Sequence, residues 1–221
     1  MIAYLRTEKK RILMSLFGVL LSGVCVGFMK LAAFGVDPFQ ALMAGLDSVI
    51  PIEFGTLYVI VNAVMLLFSL AADRHNIGLA TFINLFLLGY VVDFTQAVLF
   101  SIFPAPGMPV RIFSLVFGIV VLCIAASLYM TADLGISTYD AVAVVMANKW
   151  KWGKFKYVRI CTDLVCVSVG GLLIYLATGS VTELLASIGV GTIMTAFFMG
   201  PLIAFFNEKL SIPLLEKGRG D

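Results

Sequence analysis

The hydrophobic positions of this chain form long unbroken runs. They show neither the alternation of a half-buried strand nor the single stripe of a soluble helix. Six runs cover residues 12–32, 54–72, 77–100, 110–132, 156–177 and 184–206. As a helix, each can cross about 30 Å of hydrocarbon at ~1.5 Å rise per residue. Two shorter apolar pieces, 37–47 and 137–149, stand at matching places between the runs. A helix from Asp37 to Asp47 reaches roughly 15 Å, about half the hydrocarbon thickness. The pattern predicts an all-α membrane protein with six transmembrane helices and two half-length ones.

The short pieces begin with similar phrases, "AFGVDPFQA" at 33–41 and "DLGISTYDA" at 133–141. Gly35 and Gly135 let the chain turn with positive φ. Asp37 and Ser137 are good N-caps, and Pro38 suits a first helical position. Three placements fit such a helix: re-entrant and facing a cavity, packed at the membrane surface, or part of a tilted full span. A re-entrant helix aims free N–H groups and partial positive charge at a polar or anionic partner. Its backbone is tolerable at membrane depth only beside protein or a water-filled cavity.

The chain also repeats itself. Setting Arg11 on Arg111 aligns Phe17, Gly18, Ala32, Gly35 and Ala41 with Phe117, Gly118, Ala132, Gly135 and Ala141, a constant offset (111 − 11 = 100). Gly78, Thr81 and Gly89 then match Gly189, Thr192 and Gly200 (189 − 78 = 111). The expected organisation is a first repeat over 1–103 with a basic N-terminal segment, a Pro/Gly linker at 104–109, a second repeat over 110–207 and a tail over 208–221. Each repeat holds three transmembrane helices and one short re-entrant or interfacial helix. Three crossings per repeat make the copies inverted, as in many transporters.

Composition supports the membrane reading. The chain is 61% hydrophobic and 13% charged, against about 25% charged in soluble domains. Basic residues gather at Arg6, Lys9, Lys10 and Arg11, at Lys149, Lys151, Lys154 and Lys156, and at Lys209, Lys217 and Arg219. The positive-inside rule puts all three groups in the cytoplasm, with both termini. Six or eight crossings satisfy that rule equally; Arg74 and Arg111 pull in opposite directions, and helix length favours six. A net charge of +2 gives no reason to expect a nucleic-acid partner. Cys25, Cys123, Cys161 and Cys166 sit in apolar runs without metal-ligand spacing and read as buried small hydrophobes.

Charged groups at bilayer depth cost at least about 2.5 kcal/mol, so each needs a reason. Arg159 and Asp163 are four residues apart, on one helix face. They form either a structural pair or part of a solute or proton site. Asn62 holds the place of Asp163 in the first repeat. Asp133 and Asp140 flank the second glycine turn. Asp140 suits the first turn of the short helix, where a carboxylate stabilises its dipole. Asp133 ends a span and is placed either to meet water or to join the site. The candidate solute-binding residues are therefore Asp37, Asn62, Asp133, Ser137, Asp140, Arg159 and Asp163. No catalytic constellation, cofactor motif or metal set is present, and a His-based triad is excluded because His75 stands alone in a loop.

Two functions follow from these features. One is a transporter or channel for a small polar or anionic solute, with its site between the repeats. The other is an accessory membrane protein that stabilises or controls a protein partner through "NKWKWGKFKY" at 148–157. That loop also suits a simple anchor to anionic lipid.

The glycine phrases, with "GLATFINLFLLGYVVDF" and "GVGTIMTAFFMGPLIAFF", resemble the YczE/YyaS/YitT-type bacterial membrane proteins, most closely the YczE side. The family phrase reads Asp-Leu-Gly-x-Ser-Pro-Trp-Asp. Asp133, Leu134, Gly135, Ser137 and Asp140 keep it, with Thr138 for the proline and Tyr139 for the tryptophan. The first copy keeps Gly35 and Pro38 but has Ala33 and Gln40 where the acids stand. The resemblance implies a multi-pass protein of the bacterial plasma membrane and brings no assigned activity.

Overall fold

The computed structural model describes residues 2–73, 77–153 and 155–216, and side chains from residue 9 onward except at 155 and 156. Arg74, His75, Lys154, Lys217 and Arg219 lie outside the described residues, as do the side chains of Arg6 and Lys156.

Among the described residues every regular element is a helix. They are α1 (Ile2–Ala32), α2 (Pro38–Val49), α3 (Phe54–Ala72), α4 (Leu79–Ile102), α5 (Met108–Ala132), α6 (Thr138–Val144), α7 (Phe155–Thr178), α8 (Val181–Ser187), α9 (Val190–Phe206) and α10 (Ile212–Glu216). A π-helical turn at Val145–Lys149 extends α6, and another at Asn207–Ser211 joins α9 to α10. Six stretches are long and apolar enough to cross a membrane: Lys9–Ala32, Phe54–Ala72, Leu79–Ile102, Met108–Ala132, Tyr157–Thr178 and Val181–Glu216. Large side chains such as Leu67, Phe94, Phe113, Leu176 and Phe197 point outward, as a lipid-facing surface requires.

The sixth run is not one helix, contrary to the expected segment 184–206. It breaks at Ile188 and Gly189, which are both extended. The break has a cause. Gly35 and Val36 donate their N–H groups to the carbonyls of Ala186 and Ser187, at 2.9 and 3.1 Å. The end of α8 is therefore fastened to the first glycine turn, and α9 starts afresh.

Glycines set the packing of α1. Gly23 lies against Leu88 and Val91, and Gly27 against Thr95, so α1 and α4 run side by side in one direction. Gly18 abuts Ala125 and Tyr129, while Gly118 abuts Cys25 and Met29, so α1 and α5 run antiparallel. With no Cβ in the way, small residues bring helix backbones together in lipid, where apolar burial gives little drive. Cys25, Cys123 and Cys166 are buried, whereas Cys161 is exposed on the outer face of α7 and does not serve as core.

Both glycine turns have the expected form. Gly35 has φ +102° and Gly135 φ +109°. Each turn meets a helix start in the other half of the chain. Phe34 accepts from the N–H of Gly191 at 2.6 Å, and Leu134 accepts from the N–H of Ala80 at 2.9 Å. Thr192 and Thr81 accept from the N–H of Gly189 and Gly78, at 3.3 and 3.2 Å.

The short helices start side by side, with the Phe39 and Tyr139 rings stacked at 5.0 Å. They then diverge. α2 ends a few residues before Phe54, which opens α3, while Lys149 at the end of the α6 extension bonds the carbonyl of Ala72, which closes α3. The two half-length helices thus leave a common centre towards opposite ends of one span.

Candidate functional site

The starts of α2 and α6 carry the polar centre of the protein. Ser137 caps α6, accepting from the Asp140 N–H at 3.1 Å and donating its hydroxyl to the Asp140 carboxylate at 2.6 Å. Asp37 caps α2, accepting from the Gln40 N–H at 3.2 Å. These groups satisfy N–H donors that a helix start leaves open.

α7 brings a cation against them. Arg159 is ion-paired to Asp140, and its Nε lies 3.2 Å from Asp163, one turn along α7. Its guanidinium lies over the Tyr139 ring, 4.2 Å from the centroid. Tyr139 donates its hydroxyl to Asp163 at 2.7 Å, and Tyr129 donates to Asp140 at 3.4 Å. Two carboxylates therefore hold one guanidinium, and Arg159, Asp140 and Asp163 keep 30, 25 and 20% of their side-chain surface accessible.

The first half adds a neutral arm. Thr138 donates to the Asn62 carbonyl, and Asn62 donates to the backbone carbonyl of Tyr58 at 2.8 Å. Tyr58 donates to Asn84 at 3.3 Å. Asn62, Thr138 and Tyr58 are almost wholly buried, so these bonds replace water they have lost.

Of the residues singled out in the sequence, Asp37, Asn62, Ser137, Asp140, Arg159 and Asp163 converge here. Asp133 does not. It ends α5 with φ 51°, its side chain is 92% exposed, and it pairs with Arg11 at 3.4 Å. Sequence reasoning missed Tyr58, Asn84, Tyr129, Thr138 and the Tyr139 hydroxyl. Thr138 and Tyr139 stand in the quoted phrase; only contact with α3 and α7 gives them partners. Among the described residues no group of three or more His, Cys, Asp or Glu is placed to hold a metal.

The two halves differ around this centre. Gly89 packs on α3, where an added Cβ would lie 2.7 Å from Tyr58 and 3.0 Å from Gly55. Gly200, its counterpart in α9, has nothing within 4 Å. α3 packs along α4, and among the described residues α7 has no comparable packing on α9. Arg159 takes the place of Tyr58 in the alignment of the two halves, and its contacts run to α6.

The sequence pattern of DUF6198, described as a family of unknown function, matches residues 9–208. The chain belongs to the DUF6198 family. It is also similar to the uncharacterized membrane protein YczE of Bacillus subtilis (strain 168), with 27% identity over 183 residues, 83% of this chain and 78% of that one. The YczE-type resemblance and the multi-pass helical architecture thus stand. No solved structure matches this DUF6198 chain.

Proposed function

We propose that this DUF6198 protein is a transporter for a small polar solute, with its central site at the starts of α2 and α6. The observation that carries the reading is the Arg159–Asp140–Asp163 network held where two half-length helices begin. Ionisable groups inside a membrane bundle mark solute or proton paths. Half-helix starts near the middle of a span recur in transporter sites.

The chain's repetition, the antiparallel α1 and α5 and the divergence of α2 and α6 support two inverted repeats. The lysine-rich loops support both termini in the cytoplasm of a bacterial plasma membrane. A cleft of about 1010 Å³ runs from Arg111 and Glu183 down to Val36, the residue before Asp37. It provides an entry from the end of the bundle where α1 finishes. At the other half, the loose α7–α9 seam is the counterpart of the closed α3–α4 contact. Alternating access follows if the two seams open in turn. An anionic solute fits less well than a neutral or zwitterionic one, because Asp37 and Asp140 already occupy the positive helix ends. The charge network serves binding and coupling, and no step of covalent catalysis is assigned to it.

Uptake by proteoliposomes tests the site. Asp163→Asn, Asp140→Asn and Ser137→Ala together abolish uptake if the centre carries solute, and uptake that survives all three overturns the assignment. A cysteine at Gly107, in a background without Cys25, Cys123, Cys161 and Cys166, tests the topology. Labelling from outside by an impermeant thiol reagent supports inverted repeats, and protection there overturns them.

The accessory reading rests on the exposed loop with Trp150, Lys151 and Trp152. Trp150 packs on Phe68 and Trp152 on Trp150, with centroids 5.5 and 5.2 Å apart. A stoichiometric partner lost on neutralising Lys149 and Lys151 would favour that reading.

A further inference from the structure

Lys30 lies in the last turn of α1, at the opposite end of the bundle from Arg11. Its ammonium sits over the Phe54 ring, 3.5 Å from the centroid. An ammonium has three N–H donors and no acceptor. Among the described residues no carboxylate comes within 4.0 Å of it and it makes no hydrogen bond. Asp47 and Asp93 line the same opening as Lys30. Asp93 accepts from the Gly55 N–H at 2.6 Å, which fixes its position.

An open recess of about 420 Å³ at the surface is lined by Lys30, Asp47, Glu53, Phe54, Asp93 and Gln96. Lys30, Asp47 and Gln96 also line the cleft that descends to Val36. A small organic ligand fits a volume of this size, bounded by an apolar ring wall and a few directed polar groups.

The internal repetition shows that these charges are not part of the shared scaffold. The places of Lys30, Asp47 and Asp93 in the second half hold Met130, Ala147 and Ala204, at the offsets of 100 and 111 already given. The second half builds its helices without any of the three. Asp93 has one structural bond, to the Gly55 N–H, whereas among the described residues Lys30 and Asp47 have no hydrogen-bond or ion-pair partner and face the opening.

We propose that this recess binds a small zwitterion, an amino-acid-like solute, at the entrance to the transport path. The solute's carboxylate accepts from Lys30. Its ammonium faces Asp47, Asp93 and Glu53, and Gln96 bonds either group. A simple anion meets three carboxylates here, and a simple cation meets Lys30. A molecule carrying both charges engages both walls, whereas a cation leaves Lys30 without an acceptor. This assignment rests on the transport reading for its place in a pathway, and on the recess alone for its chemistry.

The test is direct binding to the purified protein, by calorimetry and by thermal stabilisation. The probes are the twenty common amino acids and glycine betaine, with acetate and ethylammonium as single-charge controls, each at about 10 mM. At least one zwitterion raises the melting temperature, and neither control does. Lys30→Met weakens that binding at least about tenfold, the usual cost of losing a charge-assisted hydrogen bond. Asp47→Asn weakens it too. Methionine stands at the corresponding place of the second half, so the first variant keeps a side chain the fold already accepts. Absence of binding by every zwitterion, equal binding of a control, or binding unchanged in both variants overturns the proposal. Binding is read without transport. A zwitterion that binds through Lys30 but is not taken up overturns the transport reading and leaves this site standing.

Discussion

Arg11 and Arg111 hold the two glycine turns of this protein, each from the other half of the chain. Arg11 donates to the carbonyls of Ala132 and Asp133, both at 2.7 Å. Arg111 donates to those of Ala32 and Ala33, at 2.8 and 2.9 Å. Each guanidinium thus closes the C-terminal end of a long helix, where carbonyls lack partners and a positive charge meets the negative end of the helix dipole. Arg111 also lies over the Phe34 ring, 4.4 Å from its centroid.

Arg111→Gln removes two charge-assisted hydrogen bonds and a cation–π contact. The expected loss is about 1–3 kcal/mol, read as a lower melting temperature of the purified protein. Lysine at this position restores charge but not the paired geometry, so it recovers only part of the loss.

Gly89 and Gly200 stand at corresponding places and predict opposite outcomes. Gly89→Ala drives a Cβ into Tyr58 and Gly55 and costs about 1–3 kcal/mol. Gly200→Ala meets nothing and gains up to about 1 kcal/mol from helix propensity. Gly200→Trp separates structure from cycling. It folds as well as the parent, and it stops uptake if α7 must close on α9.

Asp163→Asn leaves Tyr139 and Arg159 with a weaker acceptor. Asp163 is four-fifths buried and keeps its hydrogen-bonding shape as Asn, so the stability loss is about 1–3 kcal/mol while uptake falls at least about tenfold. Equal, small changes in both would assign the pair to scaffolding. Arg159→Met has the larger structural effect, since Asp140 and Asp163 then face each other without a cation.

The protein has two tryptophans, Trp150 and Trp152, and they are 43 and 65% exposed. Their fluorescence reports the depth of one loop. Quenching by brominated lipids should peak for bromines near the headgroup and decline for those deep in the chains. Maximal quenching at the bilayer centre would refute an interfacial loop.

Much of the architecture was legible in the sequence because lipid makes the backbone satisfy itself in helices: five of the six apolar runs lie on single helices, and the sixth is helical but for one break. The half-length helices were legible from Gly35, Asp37 and Pro38, and from Gly135 and Ser137, because turns and caps are local chemistry. The pairing of Arg159 with Asp163 was legible from helical spacing. Three things were not. The break before Gly189 depends on Gly35 and Val36 donating to α8, a contact across about 150 residues of chain. The recess at Lys30 depends on α1, α2 and α4 coming together at one end. For Asp133 the sequence left two places, in water or in the site; it meets water, 92% exposed beside Arg11 at the left-handed end of α5.

The crossing of contacts between halves has a consequence for how the chain is made. The turn at Ala33–Val36 needs Arg111, Ala186, Ser187 and Gly191 before its backbone is satisfied. At about 5–20 residues per second, the ribosome takes on the order of ten seconds or more to supply the last of these. During that time the first half sits in the membrane with an unfinished fold, its early turn waiting on late sequence. Maturation therefore runs backwards along the chain. The first turn to be synthesised is among the last to be completed, and a chain stopped after the linker lacks every one of these partners.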